Sequence, residues 1–222
     1  MSRIFKTESD IFKKRKIELK SGVTVLVGCN GSGKTTLLNE LKYNLEKEGI
    51  PVIHFDNLHD GGSSSISEDL FYGRTEWGAT ALCSSEGENI VLNLCKLSSR
   101  LGYFVSTGKD KNRNRLEELF EKKNSEEKES IPERWILLDA IDSGLSIDNI
   151  IDVKKYLFKT ILEKNFGNKV FIIVAANSYE LAREEQCFDV MEGKYVNFNN
   201  YDEYKQFILK TAEKKEERDA DE

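Results

Sequence analysis

Residues 22–41 read "GVTVLVGCNGSGKTTLLNEL", and no other stretch restricts the fold as much. The stretch "KIELKSGVTVLVG" alternates and ends in an apolar, β-branched run, Val23 to Val27, and reads as a buried strand. A glycine-rich turn interrupts it, and Leu37, Leu38, Leu41 and Leu45 then recur at helical spacing until Gly49 and Pro51 stop the helix. Within the turn, Gly28 to Thr35 match G-x-x-x-x-G-K-T. In that context the pattern is a phosphate-binding loop. Glycines let successive backbone N–H groups converge on an anion, and the helix N-terminus adds positive potential. Gly28, Asn30, Gly31, Ser32, Gly33, Lys34, Thr35 and Thr36 are therefore candidate nucleotide-binding residues. Lys34 is expected at the β- and γ-phosphates, and the Thr35 hydroxyl is expected as a Mg²⁺ ligand. The expected ligand is ATP with Mg²⁺.

The rest of the chain fits a layered α/β domain. "PVIHF", "RWILLD" and "KVFIIVAAN" are three further strands, and "CFDVMEGKYVNF" reads as two short ones around Glu192 and Gly193. Helical periodicity covers residues 86–101, with Ile90, Val91, Leu94, Leu97 and Leu101 on one face. It also covers 147–164, with an apolar face of Ile147, Ile150, Ile151, Leu157, Phe158, Ile161 and Leu162, and the segment from Tyr201. Strands alternating with helices predict a mainly parallel sheet flanked by helices, with the chemistry at its strand ends. Length agrees with one such domain: 222 residues at 39% hydrophobic make one ordinary core. The predicted division is a nucleotide-binding domain over 1–210, containing a charged insertion at 109–134, and a frayed charged tail at 211–222.

A carboxylate that handles the metal should end another buried strand. Asp139 ends the apolar run "WILL", where a carboxylate can hold the Mg²⁺ shell. Asn57, at the end of "VIHFDN", is a further metal-side candidate because an amide can bridge the ion and a water, and Asp56 is equally placed. His54 and His59 with Asp56 and Asp60 suggest a separate metal cluster, but strand-end and turn roles are the commoner use of such residues. Cys29, Cys83, Cys95 and Cys187 form no C-x-x-C pair, and they read as reduced thiols of a cytoplasmic protein.

Several segments occur in the order of an ABC-class ATPase: "GCNGSGKTT", "SSEGENI", "ILLDAIDSGLS", "VFIIVAANS" and "CFDVMEGKYV". The chain resembles the soluble branch of that class, the SMC-type and DNA-repair ATPase heads and the small ATPases of phages and mobile elements. The resemblance implies that Ser85, Gly87 and Glu88 form a signature loop that opens a helix and meets the ATP of a second copy. It thus implies a head-to-tail homodimer formed on ATP, serving phage or mobile-element DNA metabolism or host–phage conflict. A capping box at the start of the helix would use the same "SSEGE" residues.

Three positions depart from that pattern. Ala140 stands where the class has its catalytic glutamate, Asn177 where it has a switch histidine, and Ser146 where the D-loop ends in aspartate. Alanine cannot orient or deprotonate a water. Asn177 can hydrogen-bond a γ-phosphate without becoming cationic. Asp139, Asp142 and Asn177 are the candidate catalytic residues, with Asp142 fitting the D-loop better than the base. Slow hydrolysis is expected. The alternative is a nucleotide-gated interaction module without productive turnover.

The spacing bears on partners. Only 51 residues separate Lys34 from Ser85. That leaves no room for a coiled-coil arm and predicts a reduced helical subdomain. No membrane partner is expected. The net charge of -6 argues against a whole-surface nucleic-acid binder. Two basic stretches, Lys13 to Lys16 and Lys109 to Arg115, leave a local patch for nucleic acid or a protein partner, although solvated surface is the ordinary role of such runs. Phe5 and Phe12 are the aromatic candidates for stacking on adenine.

Overall fold

The computed structural model of the chain describes residues 2–9, 12, 15–56, 86–110 and 131–220. An antiparallel hairpin opens it, β1 (Ser2–Lys6) against β2 (Lys16–Lys20). Then come β3 (Gly22–Val27), α1 (Lys34–Lys47), β4 (Val52–Asp56), α2 (Glu86–Thr107) and β5 (Glu133–Asp139). Beyond them, α3 (Ile147–Asp152) passes through a π-helical segment (Val153–Phe158) into α4 (Lys159–Glu163). The chain ends with β6 (Lys169–Ala175), α5 (Tyr179–Ala182), β7 (Gln186–Asp189), β8 (Lys194–Val196) and α6 (Tyr201–Ala220).

Among the described residues six strands form one sheet in the order β4-β5-β6-β3-β7-β8. All neighbours run parallel except the terminal β7–β8 pair. The strand bearing the glycine loop, β3, is thus separated from the strand ending in Asp139, β5, by β6.

Alternation along these strands explains their unbroken apolar sequences. Val25, Val27, Ile136, Leu138, Ile172 and Val174 enter one core with residues of α2, α3, α4 and the π segment. Leu26, Trp135, Leu137, Phe171, Ile173 and Ala175 enter the other, beneath α1 and the hairpin. A sheet covered on both faces needs apolar side chains at every position. At the centre of the second core, the fully buried Trp135 stacks on Phe171 with ring centroids 3.9 Å apart, and meets Phe5 edge-on at 5.2 Å. Trp135→Ala should therefore lower the stability to urea unfolding by about 3–5 kcal/mol, the range for emptying a large aromatic site.

Four expectations need correction. First, "KIELKSGVTVLVG" is two strands: the backbone turns at Gly22, with φ 97°, so β2 pairs with β1 and only β3 joins the main sheet. Second, the helix over 147–164 buries Ile150, Leu157, Phe158 and Ile161 but leaves Ile147 and Ile151 62% and 49% exposed. A π segment has a wider turn than a regular helix, and here Val153, Leu157 and Phe158 all reach the core from it. Third, residues 211–220 are helical and continuous with the domain. They are the last turns of α6, and Thr211 is buried. Fourth, Phe5 and Phe12 are 4% and 2% exposed core residues and cannot stack on a base. Most of the charged insertion, residues 111–130, lies outside the described residues, as does the connector 57–85.

Candidate functional site

The C-terminal ends of the parallel strands converge on one edge of the sheet. There β3 leads into the glycine loop, β4 ends at Asp56, β5 at Asp139 and β6 at Ala175, two residues before Asn177. Asp56 and Asp139 are partners in the β4–β5 ladder, and Asp139 and Ala175 in the β5–β6 ladder.

The loop's shape depends on its glycines. Gly33 precedes α1 with φ 101°, a conformation an L side chain rarely adopts. Gly28, with φ 151°, lies against Ser32, and a Cβ there would stand 2.6 Å from the Ser32 hydroxyl. Ser32 N–H donates to the Cys29 carbonyl at 3.2 Å. Among the described residues no side chain caps α1, so its first-turn N–H groups are available as anion donors. The Ser32 Oγ is buried without a hydrogen-bond partner among the described residues, an orphaned polar atom inside the cradle.

Lys34 is buried and folds back over the loop, its Nζ donating to the carbonyls of Gly28 at 2.7 Å and Cys29 at 3.0 Å. Burial lowers its pKa below the ordinary lysine value, and the nearby Cys29, Asp142 and Asp139 oppose that shift. The charges of Asp139, at the end of β5, and Asp142, in the loop after it, thus act on the ammonium.

Asp139 and Asp142 are used differently. Asp139 is buried at the end of β5, and its carboxylate accepts no hydrogen bond among the described residues. Asp142 Oδ2 accepts the backbone N–H groups of Asn177 at 2.8 Å and Ser178 at 2.7 Å. It therefore ties the loop after β5 to the loop after β6. Asp142→Ala should cost about 2 kcal/mol in chemical denaturation, because each hydrogen bond to a charged group is worth roughly 1.5–3 kcal/mol and these two are partly exposed. Asp142→Asn, which keeps one acceptor oxygen, should lose less.

Ala140, next to Asp139, has a left-handed backbone with φ 51°. Asn177 is exposed, and its carbonyl accepts the Tyr204 hydroxyl at 3.0 Å. The same helix, α6, reaches the glycine loop. Thr211 Oγ1 accepts the Cys29 N–H at 3.1 Å, and the Lys215 side chain lies 2.8 Å from where a Gly31 Cβ would be. One face of α6 thus touches both the phosphate loop and the loop after β6. Thr211 and Lys215 were not legible as site residues, because a charged C-terminal helix carries no motif.

Of the remaining candidates, Gly87 and Glu88 fall in the first turn of α2, whereas Ser85 and Asn57 lie outside the described residues. Among the described residues no group of three or more His, Cys, Asp or Glu could hold a metal ion, and His59 and Asp60 lie outside them. Arg15 is committed structurally, donating to the Phe12 carbonyl at 2.7 Å and the Met191 carbonyl at 2.6 Å. Lys13 and Lys14 are outside the described residues, as are Lys111, Arg113 and Arg115. Among the described residues no helix is long and apolar enough to cross a membrane.

The donor set fits a hard divalent cation. A threonine hydroxyl and a buried carboxylate are oxygen ligands of the kind Mg²⁺ prefers. A strand, a lysine-bearing glycine loop and an uncapped helix, with an acidic strand end beside them in a mostly parallel sheet, define a P-loop nucleoside-triphosphatase domain. Within that class, the chain belongs to the family described as AAA domain, whose model matches residues 17–175, from β2 to the end of β6. This family binds nucleotide, generally with Mg²⁺. Comparison with curated proteins gives no match.

Proposed function

We propose that the protein binds ATP·Mg²⁺, pairs head-to-tail with a second copy on doing so, and hydrolyses ATP slowly, as a soluble ABC-class ATPase rather than a freely cycling one. The observation that carries this reading is the contrast between an intact phosphate site and an alanine beside Asp139. Lys34, the α1 N–H groups and Thr35 supply binding, while Ala140 supplies no base.

In this reading the first turn of α1 and Gly28 to Gly33 enclose the β- and γ-phosphates. Lys34 exchanges its loop carbonyls for phosphate oxygens. Thr35 and Asp139 hold Mg²⁺, which when bound neutralises developing charge on the phosphates. Asn57 is a further candidate on the metal side. Asn177 donates its amide to the γ-phosphate, and Asp142 positions that loop through its backbone. Ser85, Gly87 and Glu88 of one copy face the nucleotide of the other. Support for pairing comes from α2, whose described residues, from Glu86, include Gly87 and Glu88 of the signature stretch. The exposed Ile147 and Ile151, directly after Ser146, add apolar surface beside the same edge. A role in phage or mobile-element DNA metabolism or host–phage conflict follows from the resemblance alone, and a cytoplasmic setting from the reading of the cysteines as reduced thiols.

The test is mass and phosphate release measured with ATP·Mg²⁺, with ADP and without nucleotide. A dimer only with ATP, together with slow phosphate release, is the expected result. A monomer under all three conditions overturns the pairing. Fast turnover abolished by Asp142→Asn overturns slow hydrolysis and assigns the base to Asp142. Nucleotide-dependent pairing with no turnover at all supports the second reading, a nucleotide-gated interaction module.

A further inference from the structure

Helix α6 has 20 residues, and the two it buries, Tyr204 and Thr211, both use their hydroxyls on the backbone of loops at the site. We propose that α6 is a positioning element of that site. Thr211 sets the peptide that opens the phosphate loop, Tyr204 sets the loop bearing Asn177, and the helix holds the two loops in one register. The proposal rests on the nucleotide reading above and deepens it by naming two positioning residues that no motif marks.

The Gly28–Cys29 peptide is the point of control. It is trans, so its carbonyl and its N–H point in opposite directions. The Lys34 ammonium donates to the carbonyl at 2.7 Å, and Thr211 Oγ1 accepts the N–H at 3.1 Å. Thr211 in turn donates its hydroxyl proton to the Ile208 carbonyl of α6 at 2.8 Å. Ammonium, peptide, hydroxyl and helix carbonyl thus form one chain, each donor facing an acceptor. Hydrogen bonds in such a chain polarise one another, so each strengthens the next. When Lys34 turns to a phosphate, the Gly28 carbonyl loses that partner. The bond from Cys29 N–H to Thr211 then keeps the peptide from rotating, and Gly28 has no Cβ to limit that rotation.

The second loop is held by the same face of the helix. Tyr204 lies seven residues before Thr211, two turns away. Its hydroxyl donates to the Asn177 carbonyl at 3.0 Å, while Asp142 accepts the Asn177 N–H at 2.8 Å. The Asn177 backbone is therefore fixed by α6 on one side and by the loop after β5 on the other. One turn beyond Thr211, the Lys215 stem crosses Gly31, with Cε 2.8 Å from where a Cβ would stand, and its ammonium pairs with Asp219 at 3.2 Å. The stem packs on the loop while its charge is met within α6.

Titration calorimetry with ADP·Mg²⁺ and ATP·Mg²⁺, beside urea unfolding, tests the proposal on the full chain. Thr211→Val keeps the shape and removes the acceptor, and it should weaken both nucleotides about fivefold, the scale of one hydrogen bond. Thr211→Ser keeps the hydroxyl and should bind like wild type. ADP lacks the phosphate that Asn177 would meet, yet it should slow amide exchange at Asn177 and Ser178 in wild type, and this effect should vanish in Tyr204→Phe. Nucleotide affinity unchanged in Thr211→Val overturns the positioning role while the phosphate site stands, even where the variant is less stable to urea. Equal losses in Thr211→Val and Thr211→Ser also overturn it, because the hydroxyl is then not what matters. Protection by ADP that is absent in wild type, or survives in Tyr204→Phe, overturns the link between the loops. Should Thr211→Val fail to fold, that exchange measurement decides alone. A wild type that binds neither nucleotide refutes both the proposal and the nucleotide reading.

Discussion

Ala140→Glu is expected to raise ATP turnover by about 10²-fold, the lower end of the 10²–10⁴ range that a positioned general base contributes. The position follows Asp139 directly, at the strand end that also faces Lys34. A carboxylate there would stand beside the proposed metal and phosphate ligands. The low end is chosen because residue 140 has φ 51°. A side chain with a Cβ in the left-handed region costs about 1–2 kcal/mol. Alanine already bears that cost, and a longer side chain must also find a rotamer compatible with it. Steady-state phosphate release on the purified variant checks the expectation, with Ala140→Glu/Asp139→Asn as the control that should return to background. Turnover at the wild-type rate, with ATP affinity retained, would mean that the missing base is not what slows the site.

Lys34→Ala is expected to weaken ATP·Mg²⁺ binding by about 10²-fold, measured by titration calorimetry. Two charge-assisted hydrogen bonds to phosphate oxygens, at roughly 1.5–3 kcal/mol each, set the scale. Part of that gain is offset in the wild type, since Lys34 must first leave the carbonyls of Gly28 and Cys29 and is already desolvated. The same contacts predict a second effect. Without the ammonium, the carbonyls of Gly28 and Cys29 lose their bridge, and the loop should exchange its amide protons faster in the nucleotide-free protein. Unchanged ATP affinity in Lys34→Ala would remove the loop from the binding site.

Much of the phosphate site is legible in local sequence because its parts are contiguous. Gly28, Gly33 and Lys34 occupy one turn, and both the conformation and the charge belong to residue types. Asp139 is nearly as legible, since an acidic residue after a buried run must lie at a strand end. Asp142 is different. Its fit to the D-loop could be seen, but its bonds to the Asn177 and Ser178 N–H groups cross 35 and 36 residues. Such a contact exists only because β5 and β6 are neighbours. Ala140 shows the reverse limit. Its chemistry is plain from its side chain, while its left-handed backbone is imposed by the turn after β5.

Sequence alone determined that this chain carries a phosphate loop between a buried strand and an amphipathic helix, and that a mostly parallel α/β sheet surrounds it. Those properties follow from periodicity and residue type, which act within a few residues. The strand order and the burial of Phe5 and Phe12 were settled by long-range packing. It also placed Thr211 and Lys215 of a charged terminal helix against the glycine loop. Each of these depends on which surfaces remain apolar once the elements have formed, and on pairings between residues far apart in the chain. Packing, rather than local propensity, sets those.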